Sequence, residues 1–162
     1  MSAASRPVGI PAAVRYWRIL NTETNDTGPG GQNSYITISE INFRPIIGTP
    51  ATMSGTGTPT ASSTYTTAAG WEAPKAIDGV NTTAWICQAG QYLNSWWRFV
   101  YTDPIEIKQL ALTSYPTAAG AIQMVKSGFL QKSFDGNTWY NVLSFTNQTA
   151  WASAGETRLF SV

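Results

Sequence analysis

Residues 122–145 read IQMVKSGFLQKSFDGNTWYNVLSF, and this stretch decides the fold class. Ile122–Ser133 and Thr138–Phe145 are strand-like runs. Between them, Ser133-Phe134-Asp135-Gly136-Asn137-Thr138 reads as a hairpin turn, because Asp-Gly supplies the positive φ that a tight reversal needs. Two strands joined in this way are antiparallel neighbours. Working outward, similar runs recur at Val14–Leu20, Tyr35–Phe43, Trp96–Tyr101, Ile105–Ser114 and Thr157–Val162. In the second of these, Tyr35, Thr37, Ser39, Ile41 and Phe43 alternate with Ile36, Ile38, Glu40 and Asn42. In the third, Trp97, Phe99 and Tyr101 share one face and Trp96, Arg98 and Val100 the other. The first face is expected in the core, together with Trp85 and Trp139. Polar 21–33 and Gly/Thr/Pro-rich 44–59 read as connections. No window carries apolar residues at i, i+3, i+4 and i+7 with caps at both ends. The reading is an all-β chain of about eight strands, an antiparallel jelly-roll β-sandwich. Residues 1–13, with two prolines among small side chains, read as an extended arm docked on the domain or on a partner subunit. Residues 14–162 form one domain.

Composition narrows the function. A chain of 162 residues buries a real core without staples. Only 12% of residues are charged, against about 25% in an average domain, while 12% are aromatic. The net charge of +1, with no Lys/Arg run, excludes a binder that works by neutralising nucleic-acid phosphates. The chain has no His, which removes His acid–base chemistry and His-ligated metals. Cys87 is the single cysteine, so no internal disulfide forms. It reads as a small buried apolar residue rather than a nucleophile. The first residues lack the apolar stretch of a signal peptide, and nowhere do eighteen apolar residues run together. Asn25, Asn81 and Asn147 head Asn-x-Thr sequons, chance matches in a Thr-rich chain unless the protein is secreted. Asp26, Asp78, Asp103 and Asp135 are scattered, and Glu72 beside Trp71 has no second carboxylate for a glycosidase pair. An enzyme is not expected.

Lys75–Trp85 reads KAIDGVNTTAW. Asp78 brings a carboxylate, Gly79 a sharp reversal, Thr83 a hydroxyl, and Trp85 an anchor. Such an oxygen-rich loop suits a hard cation. It equally suits an Asx turn, with Asp78 bonded to its own backbone. Two further segments accompany it: FLQKSFDGNTW over 129–139, and RYWRI over 15–19 followed by ISEINF over 38–43.

Taken together, these segments, with Ala61-Ser62-Ser63 and Trp96-Trp97, resemble the discoidin family. This is the coagulation factor 5/8 C-terminal type, related to carbohydrate-binding modules with a galactose-binding-like jelly roll. The resemblance spans roughly residues 14–162. It differs in order, since the family closes on Arg-Tyr-x-Arg-Ile and Ser-Glu-Ile whereas this chain opens on them. The resemblance therefore implies a circular permutation, with the usual ends joined through 44–59. It further implies a structural calcium ion. Its ligands would be the Asp78 carboxylate, the Thr83 hydroxyl and carbonyl, the carbonyls of Lys75 and Val80, and the Glu40 carboxylate. Val80 stands where sugar-binding relatives often carry Asn or Asp.

For the ligand, the resemblance implies loops at one end of the sandwich that bind glycans through aromatic faces and polar groups. Trp71, Tyr92, Asn94, Trp96 and Arg98 are the candidates, and plain packing is the competing reading for Trp71. The absence of His argues against galactose itself. Lipid binding ranks low, because no basic cluster lies near the loops. Permuted copies with such loops look like bacteriophage virion proteins. The implied role is a non-catalytic glycan-binding module on a tail, fibre or capsid, made in the host cytoplasm. Its expected partners are a glycan, virion proteins reached through the arm, and further copies of itself. The alternative is a structural or decoration subunit that uses the sandwich and arm for assembly alone.

Overall fold

The computed structural model describes residues 9, 11–26, 35–48, 55–66, 69–152 and 154–162. Most of the 1–13 arm lies outside them. Of its described part, the Pro11 carbonyl accepts a hydrogen bond from the Lys132 ammonium at 2.8 Å.

The strands are β1 (Val14–Thr24), β2 (Thr37–Ile38), β3 (Glu40–Arg44), β4 (Gly57–Ala61), β5 (Trp85–Ile86), β6 (Trp96–Ile105), β7 (Gln109–Thr113), β8 (Val125–Ser133), β9 (Trp139–Phe145) and β10 (Thr157–Ser161). A short helix α1 (Ala118–Ile122) and a 3-10 turn (Ala73–Ile77) interrupt them. A five-stranded sheet runs β4-β6-β1-β8-β9 and a three-stranded sheet β10-β7-β3, with β2 and β5 as a small ribbon. Every pairing is antiparallel. The fold is the all-β sandwich that the alternation called for.

Period-two alternation places the core. Trp17, Ile19, Trp97, Phe99, Tyr101 and Leu130 leave the five-stranded sheet inward, and Ile41, Phe43, Leu110 and Leu112 meet them from the other sheet. Phe43 touches Trp97 edge-to-face at 5.8 Å between centroids. Burying each such side chain contributes about 1.5–3 kcal/mol. The buried indoles also satisfy their N–H groups, Trp97 on the Ala73 carbonyl and Trp85 on that of Ser63. Trp139 departs from expectation. It stands half-buried on the outer face opposite Ser133, beneath the Arg18 guanidinium. An aromatic strand residue signals burial but not which layer covers it.

The Asp-Gly hairpin forms as read. Gly136 takes φ 80°, and Asp135 accepts the N–H groups of Asn137 and Thr138. Those N–H groups hold the Asp135 carboxyl down at about 2.

Candidate functional site

One end of the sandwich gathers the connections that precede β3, β5, β8 and β10. The 3-10 turn has Pro74 in its first turn, where a missing N–H costs nothing, and buries Ala73 and Ala76. It delivers Asp78 to the start of the oxygen-rich loop. Gly79 follows at φ 75° with open space around it, so glycine is required there for backbone conformation rather than room. The Asp78 Oδ1 accepts the Val80 N–H at 2.9 Å. The Thr83 hydroxyl lies 2.9 and 3.0 Å from the two Asp78 oxygens and 2.8 Å from the Val80 carbonyl. The Lys75 ammonium stands 3.2 Å from Asp78 Oδ2.

Ser39 docks this loop onto the sheet, donating to the carbonyls of Asn81 and Thr83 at 2.8 and 3.1 Å. The next residue, Glu40, then meets Asp78. Burial and the neighbouring Asp78 carboxylate push the Glu40 carboxyl up to about 7, against the pull of the Val80 and Gly79 N–H groups. Its Oε1 is buried without a hydrogen-bond partner. Burial also acts to raise Asp78, but the Val80 N–H, the Thr83 hydroxyl and Lys75 outweigh it and leave this carboxyl below its usual range. The two acids share a site, and Glu40 is the one that keeps its proton to the higher pH.

These residues fit a hard cation. The donors are all oxygen, two are carboxylates that repel each other, and one buried oxygen lacks a partner. Glu40, Asp78, Val80 and Thr83 come together, although the Thr83 carbonyl already accepts from Ser39. For Lys75, what reaches Asp78 is the ammonium. A bound cation would displace it. Among the described residues no group of three or more His, Cys, Asp or Glu gathers, so hydroxyl, carbonyl and water oxygens would complete the shell.

Aromatic side chains stand against the loop that carries Asp78. Trp71 meets Tyr115 at 5.6 Å and 62°. The Tyr115 hydroxyl donates to the Thr82 carbonyl at 3.2 Å, while Ala84 N–H bonds the Gly70 carbonyl. Tyr115 carried no signal in the sequence, being one aromatic in a Ser-Tyr-Pro turn. Glu72 spends its carboxylate on the Gly70 and Trp71 N–H groups at 2.9 and 3.1 Å, which positions Trp71. Burial raises the Cys87 thiol to about 11, and its sulfur accepts the Ile36 N–H.

The other candidates lie elsewhere. Tyr92 packs on the core and its carbonyl accepts from Ser95. Asn94 is exposed at φ 59°, a conformation Asn tolerates, with its N–H on the Asn21 carbonyl. Trp96 and Arg98 are not on the loops. They occupy the outer face of β6, with the guanidinium 5.2 Å from the indole centroid. The five proposed ligand residues thus fall in three places rather than one.

No curated protein and no solved structure matches the chain. A family model does match, that of the F5/8 type C domain, over residues 58–161. The match runs from β4 through β10 and holds the Asp78 loop, the Trp71–Tyr115 pair and the Asp135 hairpin. With well over half its length matched and an antiparallel β-sandwich to carry it, the chain belongs to the F5/8 type C, or discoidin, family of generally non-catalytic carbohydrate- and ligand-binding modules.

Proposed function

We propose that the protein is a non-catalytic glycan-binding module whose ligand meets the Trp71–Tyr115 end, above a structural calcium ion held by Glu40 and Asp78. The observation that supports this reading is the aromatic pair tied by the Tyr115–Thr82 hydrogen bond to the same oxygen-rich loop that brings Asp78 to Glu40. Calcium would neutralise the two carboxylates and stiffen the loop. Glu72 orients Trp71, Tyr115 buttresses its ring, and exposed Asn81 and Thr82 offer polar groups to sugar hydroxyls.

A circular permutation of the family order is part of the reading. It is supported by β1 and β3, which lie before the matched segment yet complete the two sheets. Display in many copies on a phage particle would turn weak single-site contacts into avidity.

The test is a thermal melt in calcium and in EDTA, followed by titration with mono- and disaccharides in calcium. A native-state ligand at one hundred times its Kd adds about 2.7 kcal/mol. The expected results are a calcium-dependent rise lost in Asp78→Ala, and a further rise with a sugar that Trp71→Ala removes. No rise with calcium or any sugar would overturn the reading in favour of a structural subunit.

A further inference from the structure

The outer face of the five-stranded sheet carries one polar row across all five strands. Thr60 on β4 faces Arg98 on β6, Arg98 faces Arg18 on β1, Arg18 faces Gln131 on β8, and Gln131 faces Asn141 on β9. Two guanidiniums thus stand on directly opposed positions, an arrangement that costs energy on a sheet unless something neutralises it. Nothing acidic on this face does so. The ion pairs among the described residues are Lys75–Asp78, Lys108–Glu106, Lys126–Glu23 and Arg158–Glu156, and none involves Arg18 or Arg98.

Each guanidinium is instead held in place by neutral groups. Arg18 Nε donates to Gln131 Oε1 at 2.6 Å, and Gln131 Nε2 donates to Asn141 Oδ1 at 2.7 Å. Arg98 Nε donates to Thr60 Oγ1 at 3.0 Å. The Arg18 carbon lies 4.1 Å from the Trp139 centroid, and Arg98 packs over Trp96. With Nε used and an indole packed on each guanidinium, the Nη donors of both arginines find no hydrogen-bond acceptor among the described residues. Burial and the facing Arg98 both lower the Arg18 pKa, consistent with a charge short of counter-ions.

We infer that this face is a second binding surface, for a carboxylate-bearing glycan of the uronate type. A planar carboxylate matches the guanidinium fork and neutralises the opposed pair. The exposed Asn141 amide and the Thr60 hydroxyl at the two ends of the row suit the hydroxyls of a sugar chain laid across the strands, while buried Gln131 spends its amide on holding Arg18 and Asn141. A nucleic acid would need a broad basic field, and this chain has a net charge of only +1. The choice of a saccharide rests on the glycan-binding reading above; the choice of an acidic one rests on the unneutralised arginines. The surface uses no calcium ligand.

The test is calorimetric titration of the full chain, in EDTA, with oligogalacturonate, its neutral methyl ester, and polyglutamate of similar length. Oligogalacturonate is expected to bind in EDTA, with the ester and polyglutamate each at least about tenfold weaker. Arg98→Gln, which leaves Trp96 and Thr60 in place and relieves the facing Arg18, is expected to weaken oligogalacturonate about tenfold at a melting temperature no lower than wild type. Arg98→Lys is expected to recover part of that loss. Equal binding of the ester, equal binding of polyglutamate, an unaffected Arg98→Gln, or no binding at all would each overturn the inference. So would binding that needs calcium, which would assign the acidic sugar to the loop end. Neutral sugars titrated in calcium report on that end separately.

Discussion

Glu40→Gln is the most informative single change in this protein. The Glu40 carboxyl titrates at about 7 rather than 4.5, because it is buried against Asp78. A folded-state pKa raised in this way adds stability that is complete below about 4.5 and is lost as the pH climbs through about 7. Fully insulated, the shift would correspond to about 3 kcal/mol, and solvent screening at a half-buried side chain leaves about 1–2 kcal/mol. For a domain of this size that is about 3–6 °C in melting temperature. The chain has no His to titrate in the same window. In EDTA, the wild-type melting temperature is therefore expected to fall by this amount between pH 5 and pH 8. Glu40→Gln keeps an acceptor for the Gly79 and Val80 N–H groups but removes the charge. Its curve should be flat, and at pH 8 it should melt above wild type. Calcium should reverse the order, since the cation stabilises the ionised pair and the amide gives it one carboxylate less. Differential scanning calorimetry at four pH values, with and without calcium, reads all of this. A Glu40→Gln protein less stable than wild type at pH 8 in EDTA would refute the account of a strained acidic pair.

Gly128→Ala should destabilise the fold by about 1–3 kcal/mol in urea titration, because an added Cβ would fall 2.4 Å from the Leu20 carbonyl and 2.9 Å from the Phe145 ring. A neutral outcome would mean that β1 and β8 approach less closely than described. A re-permuted chain, joined by a short Gly/Ser linker from 162 to 14 and opened between Gly48 and Gly55, should fold with a melting temperature within a few degrees of the original. Failure of this chain to fold would count against the permuted reading.

The sequence was most informative where structure is made locally. The Asp135-Gly136 turn needs only its own residues, and the Trp97, Phe99 and Tyr101 face needs only alternation. It was least informative where distant partners decide. β1 runs on to Thr24 through Asn-Thr-Glu-Thr, a polar stretch that reads as loop; pairing with β8 carries it, and Asn21 is buried with its amide on Ser95. β4 reads as loop because Gly-Thr-Pro-Thr-Ala has weak strand propensity. It survives as an edge strand, where Pro59 can pair on one side only, and Gly57 leaves room for the Phe99 ring. The α1 helix, capped by the Thr117 hydroxyl on Gly120 N–H, is too short to show a period. Glu40 and Asp78 are far apart in sequence, and only the family resemblance linked them. Arg18 and Arg98 became a pair only through the register of β1 on β6.

The N-terminal third bears on both candidate surfaces in a way the family match alone does not convey. Residues 58–161 contain Asp78 and Arg98, but Glu40 and Arg18 lie outside them. β1 sits between β6 and β8, so without it the five-stranded sheet would split into two pairs with exposed inner edges. β3 closes one side of β7, and the Ser39 hydrogen bonds that dock the Asp78 loop come from the residue just before it. The acidic pair and the arginine pair are therefore each assembled from one residue inside the matched segment and one outside it. Loop and strand positions set by residues 14–57 decide whether either constellation exists, so a fragment limited to 58–161 holds half of each pair and can report on neither proposed surface.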